Sequence, residues 1–85
     1  MIQYKGGDGS AKNKAIIVLG AKSEFEGVDA EHNYIERKFG YFELESTILI
    51  EDNKKRFDII KFNSVLGVQK ELWFDITDYY GKYDE

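Results

Sequence analysis

Three segments with alternating apolar side chains, in the second half of the chain, constrain the fold more than any other sequence feature. The segments are residues 41–51, 55–63 and 68–76. Apolar residues with a period of two predict β-strands, because successive side chains of a strand point to opposite faces. Residues 52–54 and 64–67 separate the segments and contain the turn-forming residues Asp, Asn, Ser and Gly. Consecutive strands joined by such short turns predict a three-stranded antiparallel meander.

The first two segments differ in how clearly their sequences show which side chains share a face of the sheet. In residues 41–51 the apolar side chains of one parity are expected to share a face: Phe42, Leu44, Ile48 and Ile50. In residues 55–63 the apolar parity changes between Ile59 and Ile60. Either both faces of this second strand are partly covered, or a β-bulge shifts its register near Ile59.

The first half of the chain predicts two strands and one helix. Residues 15–19 form a continuous apolar run, which is typical of a central strand covered on both faces, and residues 2–4 are expected to form a short edge strand. Asp29 is expected to cap a helix over residues 30–39, since its carboxylate can accept from exposed amides of the first turn. Gly40 suits the position just after the helix.

These elements predict one α+β domain with the order ββαβββ, in which the helix packs on one face of the sheet. Packing the apolar stripe of the helix on the sheet covers both apolar surfaces at once. The chain has 85 residues, of which 42% are hydrophobic, so a single core is expected and disorder is not.

The absence of cysteine excludes disulfides and thiolate metal sites, and it suits a reducing compartment. The longest apolar run, residues 15–21, is too short to span a bilayer. We therefore expect a cytoplasmic protein that does not associate with membranes.

The net charge of −4 is unevenly distributed. Residues 1–22 carry a net charge of +3, so the rest of the chain is acidic. An acidic body disfavours nucleic acid as a partner, whereas it suits a basic protein partner. The order of helix and strands resembles that of double-stranded-RNA-binding domains. That family, however, needs lysines at the start of its last helix, where this chain has residues 78–81. The basic residues 54–56 are better explained as a solvated hairpin tip.

A glycine-rich segment, residues 6–10, is a candidate phosphate-binding loop. Glycine lets backbone amides approach an anion closely, and nearby lysines could add charge. The candidate ligand-binding residues are Gly7, Gly9, Ser10, Lys12 and Lys14. The segment lacks the Gly-Lys-Ser/Thr ending of a P-loop and leads into a strand, so a flexible connection is the alternative.

The acidic residues around the helix start are a candidate calcium or magnesium site, because carboxylate oxygens are the ligands that calcium prefers: Glu24, Glu26, Asp29 and Glu31. Their spacing does not match an EF-hand loop, and Ser23 with Glu26 also fits a capping box. His32 is the only histidine, and the sequence places no serine nucleophile beside it. We therefore expect neither a metal, a cofactor nor a catalytic set, and an enzymatic role is not favoured.

Trp73 is the most informative candidate for a binding surface. The regular apolar side chains of its strand have the opposite parity, so Trp73 is expected on the other face of the sheet. The candidate partner-binding residues on that outer parity are Trp73, Tyr41, Leu49, Glu71 and Asp75. Exposed aromatic residues often anchor partners. The alternative is that the N-terminal strand or the tyrosine-rich tail, residues 77–83, covers Trp73.

Three phrases, GGDGS, EFEGVDAE and FDIT, resemble recurring phrases of small uncharacterised bacterial proteins. The resemblance implies a bacterial cytoplasmic protein and carries no known activity. From the residues, we expect a small binding or regulatory module that contacts another protein. The alternative is a protein that binds a small ligand or phosphate through the glycine-rich segment.

Overall fold

The computed structural model describes residues 1–82 and confirms the α+β class and the order of the elements. The elements are β1 (Gln3–Gly6), β2 (Ile16–Leu19), α1 (Glu24–Phe39), β3 (Phe42–Asp52), β4 (Lys55–Ser64) and β5 (Gln69–Asp75). A short 3-10 turn, Lys12–Lys14, lies between β1 and β2. Within residues 1–82, no helix is both long enough and apolar enough to cross a membrane.

The five strands form one sheet with the order β1-β2-β5-β4-β3. The pairs β3–β4 and β4–β5 are antiparallel, which confirms the meander. Strand β2 joins it by pairing with β5 in parallel, through Ile16 opposite Phe74 and Ile17 opposite Asp75. The sheet is therefore mixed. Strand β2 is an interior strand between β1 and β5, as its continuous apolar run predicts.

The helix begins earlier than expected, at Glu24, and the prediction that Asp29 is its N-cap is wrong. The hydroxyl of Ser23 accepts a 3.1 Å hydrogen bond from the amide of Glu26, and the Glu26 carboxylate accepts from the amide of Lys22. These bonds satisfy amides at the helix start, so no cap is needed at Asp29. The helix ends before Gly40, which has a φ of 78°, as expected.

The irregularity in the meander lies in β3, not in β4. The pairing of β3 with β4 shifts between Leu44 and Ser46, whereas β4 pairs with β5 without a shift. This bulge reverses the facing of the side chains that follow it. Leu44 therefore points to the side of the sheet that carries α1, while Ile48 and Ile50 point to the opposite side. The expectation that all four apolar residues of this strand share a face is wrong.

Strand β4 is covered on both faces, which was the first of the two sequence-based alternatives. We call the face under α1 the helix side; it carries Ile60 and Phe62, which are fully buried in the main core. We call the other face the open side; it carries Phe57 and Ile59, which are also buried.

The main core lies between α1 and the helix side of the sheet. Its buried members are Ile16, Val18, Ala21, Ala30, Ile35, Ile60, Phe62, Leu72, Phe74, Ile76 and Tyr79. The Phe62 ring lies 5.4 Å from that of Phe39 and 5.5 Å from that of Phe42, in tilted and edge-on arrangements that aromatic pairs prefer. The start of α1 thus packs against Tyr79 of the tail, and its end packs against the sheet through Phe39 and Phe62.

Candidate functional site

Trp73 lies on the open side, directly opposite Ile59 of β4. Its ring is 6.1 Å from that of Phe57, in an edge-on arrangement, and its side chain is half-buried. The Trp73 amide donates a 2.8 Å hydrogen bond to the carbonyl of Gly9. Gly9 of the glycine-rich loop is therefore bonded to the backbone of Trp73, and it packs against Ile16 and Leu72 of the main core. This bond does not place the loop over the Trp73 ring. The tail turns instead to the helix side, where Tyr79 is buried; Tyr83 lies outside the described residues.

The structure does not bring the five candidate partner-binding residues into one patch. Glu71 and Asp75 share the face of Trp73, but Asp75 is buried and accepts hydrogen bonds from the amide and hydroxyl of Thr77. Leu49 pairs with Asp58 on the helix side. Its expected convergence with Trp73 fails, because the bulge in β3 reverses the faces. Tyr41 precedes β3 and is exposed.

The glycine-rich loop uses its own backbone groups internally. The amide of Gly7 donates to the carbonyl of Ala15 at 3.1 Å, and the amide of Gly9 donates to that of Lys14 at 2.7 Å. The amide of Ser10 donates to the Asp8 carboxylate, and hydrogen bonding from Ser10 lowers the Asp8 pKa. A resident carboxylate thus occupies a donor that a bound phosphate would need.

Close packing accounts for Gly9. This residue has a φ of 85°, and a Cβ built there would lie 2.8 Å from Cδ1 of Ile16 and 3.0 Å from Cδ2 of Leu72. Only glycine lets the loop lie this close to the sheet with this backbone conformation. Glycine enrichment in this segment therefore has a structural cause that does not involve a ligand.

The lysines of the same region do converge on a second basic segment. The Lys12 ammonium forms an ion pair with Asp52, which lies in the β3–β4 hairpin. A cavity of about 720 Å³ opens between the 3-10 turn and this hairpin; we call it the hairpin cavity. It is lined by Lys12, Asn13, Asp52, Asn53, Lys54, Lys55 and Phe57. The sequence offered no sign that segments some 40 residues apart would meet.

Strand β3 carries the most extended apolar surface at the edge of the sheet. It has 11 residues and, within residues 1–82, it pairs with β4 alone. Its exposed side chains include Leu44, Ile48 and Leu49, each more than two-fifths exposed, on both faces of the strand. Exposed Tyr41 precedes it, and exposed Val65 and Leu66 lie in the turn beside its start. The exposed apolar side chains therefore extend from the β4–β5 turn, at the start of β3, along the outer strand of the sheet.

A buried acidic pair lies on the helix side. Glu31 of α1 is 1% exposed, and its Oε1 accepts a 3.0 Å hydrogen bond from the hydroxyl of Tyr79. Burial raises the Glu31 pKa to about 9, and the charge of Asp58 contributes to the rise. Burial also raises the pKa of Asp58, against the effect of its hydrogen bond with Glu31. A pKa this far above neutral keeps Glu31 protonated, and therefore uncharged, beside Asp58 at neutral pH.

The acidic residues near the helix start have separate structural tasks. The Glu26 carboxylate accepts from the amide of Lys22, and the Glu24 carboxylate accepts from the amide of Gly81. Within residues 1–82, no group of three or more His, Asp or Glu side chains is placed to hold a metal ion. His32 packs edge-on against Phe42, with the ring centroids 5.8 Å apart. Its surroundings are those of a packing residue.

Comparisons of the chain with protein families, curated proteins and solved structures found no match. The resemblance to small bacterial proteins therefore stays a prediction. Sequence reasoning missed the burial of Glu31, although its position next to Ala30 and four residues before Ile35 is a signal of the buried helix face.

Proposed function

We propose that this chain is a protein-binding module that accepts an extended segment of its partner along the free edge of β3. The observation that carries the proposal is the exposure of Leu44, Ile48 and Leu49 on a long edge strand. An edge strand presents unpaired amides and carbonyls, and proteins recognise extended peptides by adding a strand to such an edge. Short, charged, bulged or covered edges are the usual protection. Strand β3 has acidic residues and a bulge near its start, but along residues 46–50 it carries no charge, and no strand among residues 1–82 covers its edge.

The charges of β3 define the partner. Acidic residues flank the apolar centre, residues 46–50, with Glu43 and Glu45 before it and Glu51 after it. Glu51 also contacts Arg56, at 3.5 Å, but its side chain is 60% exposed. The strand contains no lysine or arginine. A second copy of β3 would bring like charges together, which disfavours self-pairing. We infer a partner segment with apolar residues in its middle and lysine or arginine at both ends.

A pair of synthetic peptides tests this proposal. The first, about nine residues long, has valine and threonine in the middle and lysines at both ends; the second has glutamates in place of the lysines. We expect the lysine peptide to slow amide exchange in residues 46–52 and to bind at least about tenfold more tightly than the glutamate peptide. Equal binding of both peptides, or no binding at about 1 mM, would contradict the proposal.

Charge reversal on the protein provides a second test. The double variant Glu43→Lys, Glu51→Lys should bind the lysine peptide more weakly than wild type does and bind the glutamate peptide more tightly. The double variant Asp29→Lys, Glu36→Lys makes the same change in net charge on the exposed surface of α1 and should leave both affinities close to wild type. If the two variants behave alike, net charge and not the edge of β3 determines binding.

Proline substitutions separate strand addition from other contacts with this surface. Amides of successive residues in a strand point to opposite edges, so one of Ser46 and Thr47 donates toward β4 and the other toward the free edge. Proline at the inward position should destabilise the fold, whereas proline at the outward position should leave a folded protein that no longer binds the peptide. A folded outward variant that binds normally would rule out strand addition. A dimer at high concentration with protected β3 amides would identify a second copy as the occupant.

A further inference from the structure

The hairpin cavity continues into a second cavity under the glycine-rich loop. This loop cavity, of about 410 Å³, shares Lys12, Asn13, Lys55 and Phe57 with the hairpin cavity. It adds Lys14, Ile17 and the backbone of residues 6–7. The two together form one concave region between the loop and the open side of the sheet. Cavities of several hundred Å³ with apolar walls and a few polar groups are the usual form of small-molecule sites.

The charge of this region opposes that of the whole chain. Lys12, Lys14, Lys54 and Lys55 border it, against the carboxylates of Asp52 and Asp75. The Asp52 charge is offset by its ion pair with Lys12, and Asp75 is buried and bonded to Thr77. The remaining lysines therefore give a local positive field on a protein whose net charge is −4.

The floor of the region is formed by one aromatic residue, Phe57. Phe57 lies at the junction of the two cavities and is 5% exposed, and Trp73 supports it from the next strand. Side-chain amides of Asn13 and Asn53 add hydrogen-bond donors and acceptors at the rim. The amides of Gly7 and Gly9 are occupied within the loop, so the charge for an anion comes from lysine side chains.

We propose that this joint region binds a small organic anion that has a flat ring and a phosphate group, of the size of a nucleoside monophosphate. The ring lies toward Phe57 and the lysine stems, whereas the phosphate lies between the ammonium groups of the 3-10 turn and the hairpin. This site is on the open side of the sheet and does not depend on partner binding at the edge of β3.

Titration with adenosine monophosphate tests the proposal, with adenosine and inorganic phosphate as matched controls. Trp73 is the only tryptophan and contacts Phe57, so its fluorescence reports on the floor without a label. We expect the nucleotide to change this fluorescence and to shift the amide resonances of Asn13, Asn53 and Lys54, and both changes to weaken with salt. Each control should bind at least about tenfold more weakly, because it lacks one of the two recognised groups.

Lysine variants locate the site. The double variant Lys54→Gln, Lys55→Gln should bind the nucleotide about tenfold or more weakly than wild type. Lys14→Gln, on the other wall of the region, should have a similar effect. Lys22→Gln, an exposed lysine in the loop before α1, should leave binding unchanged. All these side chains are exposed, so the variants should fold, which circular dichroism can verify. No response at about 10 mM nucleotide, equal binding of adenosine, or equal effects of Lys22→Gln would overturn the proposal.

Discussion

The hydroxyl of Tyr79 donates a 3.0 Å hydrogen bond to Oε1 of Glu31, although these residues are 48 positions apart in the chain. Both side chains are almost completely buried. The Tyr79 ring lies against Gly27 of α1, and Glu31 lies close enough to Asp58 of β4 for the Asp58 charge to raise the Glu31 pKa. This small polar cluster therefore joins the C-terminal tail, the helix and the sheet. Within residues 1–82, Oε2 of Glu31 is buried without a hydrogen-bond partner, a setting that favours the uncharged form of the carboxyl group.

The cluster predicts that the free energy of unfolding falls as pH rises. The pKa of Glu31 is raised from 4.5 to about 9, so the folded state keeps a proton that the unfolded state releases between these values. The stabilisation is complete below about pH 4.5 and is lost progressively up to about pH 9, by at most about 1.4 kcal/mol per pH unit for one proton. Asp58 and Tyr79, whose pKa values are also raised by burial, act in the same direction. Urea unfolding at a series of pH values measures the slope.

Glu31→Gln should remove most of that slope. The amide group of glutamine can donate to Asp58 and its carbonyl can accept from Tyr79, without a proton that can be lost. We expect the variant to be more stable than wild type at pH 8 to 9 and similar to it near pH 5. Unfolding curves of both proteins at the two pH values give the comparison. A variant that is less stable at both values would show that the proton on Glu31 is not the cause.

Local sequence signals predicted the parts of the fold that depend on neighbouring residues. The alternating pattern of residues 41–76 gave the antiparallel meander, and Gly40 marked the helix end. The start of α1 was missed although Ser23 and Glu26 showed a capping pattern, because Asp29 offered a second cap closer to the apolar stripe. The helix is capped by Ser23, and the packing of Tyr79 on the first turns supports a helix that begins there.

Contacts between distant residues could not be predicted in this way. The parallel pairing of Ile16 with Phe74 and the ion pair of Lys12 with Asp52 depend on how whole elements pack, and neither has a local signature. One feature of the sequence indicated the bulge in β3, because Ser46 interrupts the series of apolar residues at every second position. The same parity analysis placed Leu49 with Trp73, so a one-residue shift was enough to move a candidate site residue to the other face.

Gly27 is predicted to be required by the packing of Tyr79. Alanine is ordinarily more favourable than glycine inside a helix by about 1 kcal/mol. A Cβ at Gly27, however, would overlap the Tyr79 ring, so we expect Gly27→Ala to destabilise the protein by about 1–3 kcal/mol. Glu36→Ala, at an exposed position of the same helix, should change stability by less than about 0.5 kcal/mol. Thermal and urea unfolding compare the two, and a stable Gly27→Ala protein would show that the tail can move away.

Truncation to alanine should lower the stability of the protein greatly at Phe62 and very little at Leu66, although both are large apolar residues near the β4–β5 turn. Phe62 is fully buried between Phe39 and Phe42, so Phe62→Ala should cost about 3–5 kcal/mol. A domain of this size has a total stability of about 4–13 kcal/mol, so that variant should be close to unfolding at 37 °C. Leu66 is 87% exposed, and Leu66→Ala should change stability by less than about 0.5 kcal/mol. Urea midpoints measure both, and a large loss in Leu66→Ala would mean that this turn is covered in solution, as by a second copy of the chain.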